Sequence, residues 1–311
     1  MHFGFLRFEA IKYSWLVFLL LFGLNLPASA SSPVVYTSIK PVAMLVKAVV
    51  GDDLDVKVLL PESASPHDYA LKFSDLRALR EADLFVWVGP ELESVLAKAL
   101  RGIPEENQMS LAGIKNIHWP EYLSHSHHGE HHHSDHEGHD DEMSKDPHLW
   151  LSPENSLKVG QALFERLSDK YPQFKSNFAE NLRIFSESLV ALDDNIRQQL
   201  KLVKKQGFIV LHDGYGHFVD HYGLNQLAVV QLNSGASRGA RHYSEMVALG
   251  DQVACVFTEP QLNSKSAVQL AQTLGARHAE LDFMGSNVTL SHSSYLELLT
   301  GFAETFTTCL R

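Results

Sequence analysis

Cysteine is scarce in this chain of 311 residues, which contains only Cys255 and Cys309. The two are too far apart to supply the CxxC pairs of thiolate zinc sites, so we expect no metal role for them. In an exported protein an even pair of cysteines favours one disulfide, and the alternative is two buried free thiols.

Basic residues are also few. Lys and Arg together number 26 against 37 Asp and Glu, which gives a formal net charge of −11. A nucleic acid or an anionic lipid surface is therefore not an expected partner, because both attract basic proteins. The acidic balance suits a protein that handles cations. The HExxH sequence of many zinc hydrolases is absent as well.

A long apolar run is missing everywhere except near the N-terminus. There, Arg7 and Lys12 precede an apolar stretch at residues 15–24, and Ala-Ser-Ala follows at residues 28–30. This pattern predicts a secretory signal peptide over residues 1–30. The stretch is only about half of the ~20 residues that a membrane-spanning helix needs. No cysteine lies at the predicted cleavage point, so we expect a periplasmic protein without a lipid anchor.

The rest of the chain alternates between strand and helix patterns in two series. β-Branched and aromatic runs, such as residues 33–38 and 208–211, predict buried strands, and Gly and Pro mark the ends of helices. This alternation predicts an α/β fold of two Rossmann-like lobes with parallel-rich sheets. The predicted boundaries are 31–171 for the N-terminal lobe, 172–206 for a connecting backbone helix and 207–311 for the C-terminal lobe.

The connecting helix is predicted from one continuous apolar stripe. Apolar side chains recur every three or four residues from Phe178 to Val203, without an internal Gly or Pro. The stripe predicts a helix of roughly thirty residues, which spans roughly 45–50 Å and is longer than a single lobe needs. The stripe favours a rigid helix packed across both lobes. The alternative is the seam of a coiled-coil dimer.

Eight of the chain's 18 histidines fall in one short acidic run. Apolar side chains are almost absent from it, so residues 124–145 are predicted to form a disordered loop. Imidazole and carboxylate groups bind transition metals, which suggests weak accessory sites. A passive solvated loop is the alternative. The histidines are His125, His127, His128, His131, His132, His133, His136 and His139.

A different set of metal-capable residues follows the predicted strands. In open α/β sheets, ligands bind beyond the carboxyl ends of the strands. His212, Glu259 and Asp282 each come directly after a predicted strand. His67 lies in the loop after the second strand, and His148 lies just before a helix. We expect three histidines and a carboxylate from the two halves to surround one metal ion in the cleft between the lobes.

Neighbouring side chains are candidates for orienting these ligands. Glu259 could hydrogen-bond a ligand histidine instead of binding the ion, and Asp146 and Asp213 each adjoin a proposed ligand. The histidines that lack such a context are interpreted as surface residues. They are His118, His217, His221, His242, His278 and His292.

Five short motifs carry a resemblance to a known family. The chain resembles the cluster A-I (cluster 9) solute-binding proteins of metal ABC transporters, and especially their zinc-binding ZnuA-type branch. The resemblance covers essentially the whole mature chain, including the acidic histidine-rich insertion and the cysteine pair. The motifs are Pro66-His67-Asp68-Tyr69, Pro147-His148-Leu149-Trp150, His212-Asp213-Gly214-Tyr215, Glu259-Pro260-Gln261 and Leu281-Asp282.

The resemblance implies a function and a set of ligands. It implies a monomeric, non-enzymatic protein that captures Zn²⁺ with high affinity in the periplasm, as cargo rather than as a catalytic cofactor. The ion would pass to an inner-membrane ABC permease with its ATPase, and periplasmic zinc chaperones are further possible partners. The implied ligands are His67, His148, His212 and Asp282.

One position departs from the family. Some relatives carry a glutamate directly before the first ligand histidine, where this chain has Pro66. The fourth ligand is therefore Asp282 or a water molecule, with Glu62 as a distant candidate. Three imidazoles and at most one carboxylate suit tetrahedral Zn²⁺, whereas manganese sites use more oxygen.

Three other functions are open at this point. One is a solute-binding protein for manganese or another divalent metal. The second is a secreted zinc hydrolase that uses Glu259 as general base. The third is a surface adhesin, a role with which some relatives are credited.

Overall fold

Two parallel sheets form the framework of the protein. In the computed structural model, the described residues are 33–120, 145–231 and 239–311. The strands are β1 (Val34–Thr37), β2 (Asp55–Val58), β3 (Leu84–Trp87), β4 (Gln108–Ser110), β5 (Gly207–Val210), β6 (Asn225–Val229), β7 (Val253–Thr258) and β8 (Arg277–Glu280). One sheet has the order β2-β1-β3-β4 and the other β6-β5-β7-β8, and every pairing is parallel. The predicted α/β class with parallel sheets is therefore confirmed.

Helices connect the strands, because parallel neighbours need crossover connections. The helices of the described residues are α1 (Lys40–Val50), α2 (Phe73–Glu81), α3 (Ser94–Leu100), α4 (Pro153–Lys170), α5 (Lys175–Leu200), α6 (Gly216–Tyr222), α7 (Gly239–Val247), α8 (Lys265–Leu274) and α9 (Ser294–Leu310). None of them combines the length and apolar character that crossing a membrane requires.

The long helix α5 links the two halves of the chain. Its 26 residues correspond to roughly 39 Å, shorter than the prediction because a 3₁₀ turn occupies Pro172–Phe174 and residues 201–205 form turns. Its buried side chains belong to the predicted apolar stripe: Phe178, Phe185, Leu189, Ile196 and Leu200. They pack within the chain, against α1 and α4 from the first half and α9 from the second. The stripe is therefore an internal packing surface, as the rigid-helix interpretation requires.

A disulfide joins the last helix to the second sheet. Cys255 in β7 and Cys309 in α9 are bonded, with their Cα atoms 5.8 Å apart. This separation is typical of disulfides. The disulfide interpretation of the two cysteines is confirmed, and the bond holds α9 against the strand that precedes Glu259.

Two predicted segments lie outside the described residues. They are the signal peptide at residues 1–30 and the eight histidines between His125 and His139.

Candidate metal centre

Three imidazole rings from distant parts of the chain lie close together beyond the carboxyl ends of the strands in the two sheets. His67 lies in the loop after β2, His148 precedes the 3₁₀ turn that leads into α4, and His212 lies two residues beyond β5. One nitrogen of each ring lies within 4.8 Å of those of the other two. Within the ranges that the structure describes, this is the one group of three or more His, Cys, Asp or Glu residues with such spacing.

The spacing of the nitrogens is close to that of a zinc site. Two ligands at ~2.05 Å in tetrahedral geometry would place their nitrogens ~3.3 Å apart. The Nε2 atoms of His148 and His212 are 3.5 Å apart. The ring centre of His67 lies 5.4 Å from that of His148 and 6.2 Å from that of His212. His148 and His212 therefore need almost no movement to bind one ion, and His67 needs a small approach.

Asp146 orients His148. In the tautomer that leaves Nε2 free as a ligand, Nδ1 of His148 donates to Asp146 Oδ1 at 2.6 Å, and the backbone N–H donates to the same oxygen at 3.0 Å. Burial alone would raise the pKa of Asp146, but the charge and hydrogen bonds of His148 outweigh it and hold that pKa below its usual range. The carboxylate therefore stays ionised and fixes the imidazole.

Strand register explains the partner of His212. Val210 in β5 pairs with Phe257 in β7, so the same register continued for two residues places His212 beside Glu259. Nδ1 of His212 donates to Glu259 Oε1, which also accepts a hydrogen bond from the Tyr215 hydroxyl at 2.6 Å. All three side chains are buried. Glu259 therefore orients the ligand histidine, one of the two roles that the sequence left open for it.

The electrostatics differ between the ligands. Burial tends to lower the pKa of His212, but the Glu259 carboxylate dominates and raises it. For His67, burial and then the neighbouring His148 and His212 lower the pKa to about 3. His67 is thus neutral at physiological pH, as a metal ligand must be. Its Nε2 is buried and has no hydrogen-bond partner among the described residues, and in the tautomer protonated at Nδ1 it offers a lone pair to a cation.

Glycine makes room for the cluster at two positions. A Cβ atom on Gly214 would lie 2.3 Å from His212 Nε2 and 3.1 Å from His148 Cε1. A Cβ on Gly216 would lie 2.7 Å from Asp146 Oδ2. The segment from His212 to Gly216 can therefore pass this close to the ligands only without side chains at these two positions.

Aromatic rings wall the site on its inner side. Phe283 lies 5.7 Å from the His148 ring and 5.3 Å from the His212 ring, and Trp150 lies 5.2 Å from His148, all between ring centres. The indole N–H of Trp150 donates to the Phe283 carbonyl at 3.0 Å, which ties the two halves of the chain together behind the site. Apolar walls exclude water and strengthen electrostatic interactions at the centre.

The remaining predicted ligands are engaged elsewhere in the structure. The Asp282 carboxylate accepts hydrogen bonds from Ser286 Oγ at 3.2 Å and Asn287 N at 3.3 Å, and it is not part of the three-histidine group. Its role as fourth ligand stays a prediction. Glu62 is paired with Lys40 at 2.5 Å.

Pro66 and Asp213 do not supply a ligand atom to the group either. Pro66 is buried and lines a cavity of about 10 Å³ together with His67, His212 and Glu259. A space of this size is about that of one water molecule or ion. Asp213 accepts a hydrogen bond from Gln226 rather than from a ligand histidine, although its charge adds to the raised pKa of His212.

One histidine was assigned wrongly. His217 was expected at the surface but is 1% exposed. Its Nε2 donates to the Asp146 carbonyl at 2.8 Å, and its Nδ1 lies 3.3 Å from the Asn155 amide nitrogen. It therefore supports the residue that orients His148. The only feature of the sequence that could have indicated this role is the position of His217, five residues after His212 and in the first turn of α6. His118, His278 and His292 are exposed, and His221 and His242 are half-buried.

Comparisons with known proteins place the chain among zinc-uptake proteins. The family model described as zinc-uptake complex component A, periplasmic (ZnuA), matches residues 35–309. The high-affinity zinc uptake system protein ZnuA of Yersinia pestis is 33% identical over 298 residues, which cover 92% of this chain and 93% of the relative. That of Haemophilus ducreyi is 36% identical over 292 residues, covering 89% and 93%. A solved ZnuA crystal structure superposes with a TM-score of 0.76 at 24% identity, covering 90% of this chain and all of the other.

Proposed function

The chain belongs to the ZnuA family of periplasmic zinc-uptake components, and on this basis we propose that it captures Zn²⁺ for import by an ABC transporter. Proteins of this family are substrate-binding transport proteins rather than enzymes. The observation that supports the proposal most directly is the convergence of His67, His148 and His212, with one nitrogen of each within 4.8 Å of the others.

The donor set favours zinc over manganese. Three imidazole nitrogens suit a borderline cation in tetrahedral geometry, whereas Mn²⁺ prefers oxygen donors. Asp146 and Glu259 hold two of the rings with Nε2 directed at the centre. In our proposal Asp282 or a water molecule completes the shell.

We further propose how the chain is organised around this site. Residues 1–30 direct export to the periplasm without a lipid anchor, and lobes at 31–171 and 207–311 flank the connecting segment 172–206. The mature protein acts as a monomer and delivers zinc to an inner-membrane ABC permease with its ATPase, with periplasmic zinc chaperones as further partners. The histidines between His125 and His139 supply weak accessory sites.

A hydrolase role is not favoured by the contacts of Glu259. Its Oε1 accepts hydrogen bonds from both His212 and Tyr215, and the residue is 1% exposed. Its Oε2 atom is buried without a hydrogen-bond partner among the described residues, but the cavity that Glu259 lines is only about 10 Å³, which leaves no room for the substrate that a general base acts on. The contacts of Glu259 are those of a residue that orients a ligand.

Equilibrium zinc titration against a competing chelator tests the proposal. Protein that lacks residues 124–142 should retain one tight site, because the three ligand histidines lie outside that run. In this background, His67→Ala, His148→Ala or His212→Ala should each weaken binding at least about 100-fold, since each removes a ligand. His292→Ala, at an exposed histidine, is the matched control and should change nothing. Undiminished affinity in all three ligand variants would refute the site.

A further inference from the structure

The three ligand histidines are not held equally. His148 and His212 are almost completely buried, and each donates to a buried carboxylate. His67 is only half-buried, and among the described hydrogen bonds none joins it to a carboxylate. It lies in residues 59–72, which contain turns but no helix or strand. Segments without helix or strand open at a lower free-energy cost than the elements of the core. Movement of residues 59–72 would therefore be the easiest way to remove one ligand, His67, from the ion.

Lys40 fastens this segment to the second half of the chain. Its ammonium group donates to Glu62 Oε1 at 2.5 Å, five residues before His67, and to the Ser286 carbonyl at 3.1 Å. Lys40 is 8% exposed, whereas the Glu62 side chain is half-exposed. Opening the segment would therefore leave a nearly buried ammonium without its counter-ion, which is costly.

Gln261 makes a second bridge between the same two segments. Its amide nitrogen donates to the Glu62 carbonyl at 3.4 Å and to Ser286 Oγ at 3.1 Å. Its Oε1 atom is buried without a hydrogen-bond partner among the described residues, and Gln261 lines the small cavity that His67 and His212 also line. Gln261 therefore lies between the outer ion pair and the metal centre.

We propose that Lys40, Glu62, Gln261 and Ser286 form a clasp that holds His67 over the metal and sets the rate at which zinc leaves. The four residues join the loop before His67 to the loop after β8, so separating the loops breaks both bridges. The clasp contacts no ligand nitrogen and acts by positioning His67, and its Ser286 Oγ also donates to the carboxylate of Asp282, the candidate fourth ligand, at 3.2 Å. It belongs to the proposed zinc-capture function and rests on that function being correct.

The test is the zinc dissociation rate of the metal-loaded protein, measured by stopped flow with excess chelator. Lys40→Met keeps an unbranched side chain, one atom shorter, and loses both hydrogen bonds of Lys40. It should release zinc about tenfold faster, since a hydrogen bond to a charged group contributes at least that factor. Gln261→Met should change the rate in the same direction. Lys47→Met is the matched control on the same helix, because the partners of Lys47 among the described residues are the Gly51 carbonyl and the exposed Asp52. Its rate should stay within about twofold of wild type.

A double-mutant cycle separates positioning from general destabilisation. Glu62→Gln alters a half-exposed residue, which keeps the fold intact, and should also speed release. If Lys40 and Glu62 act through one contact, the double variant should release zinc no faster than the faster single variant. The clasp would be refuted if Lys40→Met and Glu62→Gln released zinc at the wild-type rate, or if their effects on the rate were fully additive. Either result would leave the proposed zinc capture intact. Failure of the wild-type protein to bind zinc would instead overturn the proposed function, and the clasp with it.

Discussion

Adding one methyl group at Gly214 should abolish tight zinc binding. The Cβ of Gly214→Ala would lie 2.3 Å from His212 Nε2, 2.7 Å from His212 Cε1 and 3.1 Å from His148 Cε1. Non-bonded carbon and nitrogen atoms need about 3.5 Å, so the ligand nitrogen would have to retreat by roughly 1 Å. Zinc–nitrogen distances tolerate only about 0.2 Å. His212 would therefore be lost as a ligand, or the backbone would move and carry it away.

The expected magnitude follows from this displacement. Changing a residue that only orients a ligand costs about 10-fold to 100-fold in metal affinity, and displacing the ligand itself should cost at least the upper value. The fold should survive, because one added methyl in a packed site costs about 1–3 kcal/mol of the free energy of unfolding.

Competitive zinc titration and thermal unfolding of the same samples measure the two effects separately. Gly301→Ala, in α9, is the matched control, since a Cβ there would meet no atom of the described residues within 4 Å apart from its own helix backbone and chain neighbours. It should leave zinc affinity unchanged and stabilise the helix slightly. Wild-type zinc affinity in Gly214→Ala would show that His212 Nε2 is not at the metal, and the geometry of the site would be wrong.

Three further predictions concern other buried groups. Glu259→Gln should weaken zinc affinity about 10-fold to 100-fold in the same titration, because His212 then loses its carboxylate partner. An unchanged affinity would contradict the role of Glu259 in orienting His212. Burial raises the pKa of Glu93 from 4.5 to about 7, so the folded state keeps a proton that the unfolded state releases, and the free energy of unfolding should fall as pH rises between these values. In denaturant titrations over this pH range, the free energy of unfolding of Glu93→Gln should fall by about 3 kcal/mol less than that of wild type. A variant whose free energy of unfolding changes with pH in parallel with wild type would refute the assignment. The Cys255–Cys309 disulfide closes a loop with a sequence separation of 54. Reducing it should lower the free energy of unfolding by about 4 kcal/mol and leave zinc affinity unchanged. A loss of zinc on reduction would contradict this.

Much of the fold could be predicted because its determinants are local. Apolar strand runs alternate with helix patterns in both halves, and this alternation has one common solution, a parallel sheet with crossover helices. His212 and Glu259 were found because polar side chains directly after strands gather at one edge of such a sheet. The register between β5 and β7 then accounts for their hydrogen bond.

What the sequence did not predict depends on packing between distant segments. His217 was assigned to the surface because nothing in its own segment indicates that α6 packs against Asp146 and Asn155. Lys40 resembles any lysine at the start of a helix, and its role depends on two loops that approach it only in the folded chain. These hydrogen bonds join residues that lie 22 to 246 positions apart, and such contacts leave no local pattern to recognise.

The most direct test of the central claim is X-ray absorption at the zinc K-edge, on protein without residues 124–142 loaded with one equivalent of zinc. Three imidazole nitrogens at ~2.0–2.1 Å and one oxygen are predicted, and His67→Ala should reduce the imidazole count to two. A shell dominated by oxygen, or an imidazole count that His67→Ala, His148→Ala and His212→Ala all leave unchanged, would contradict the account.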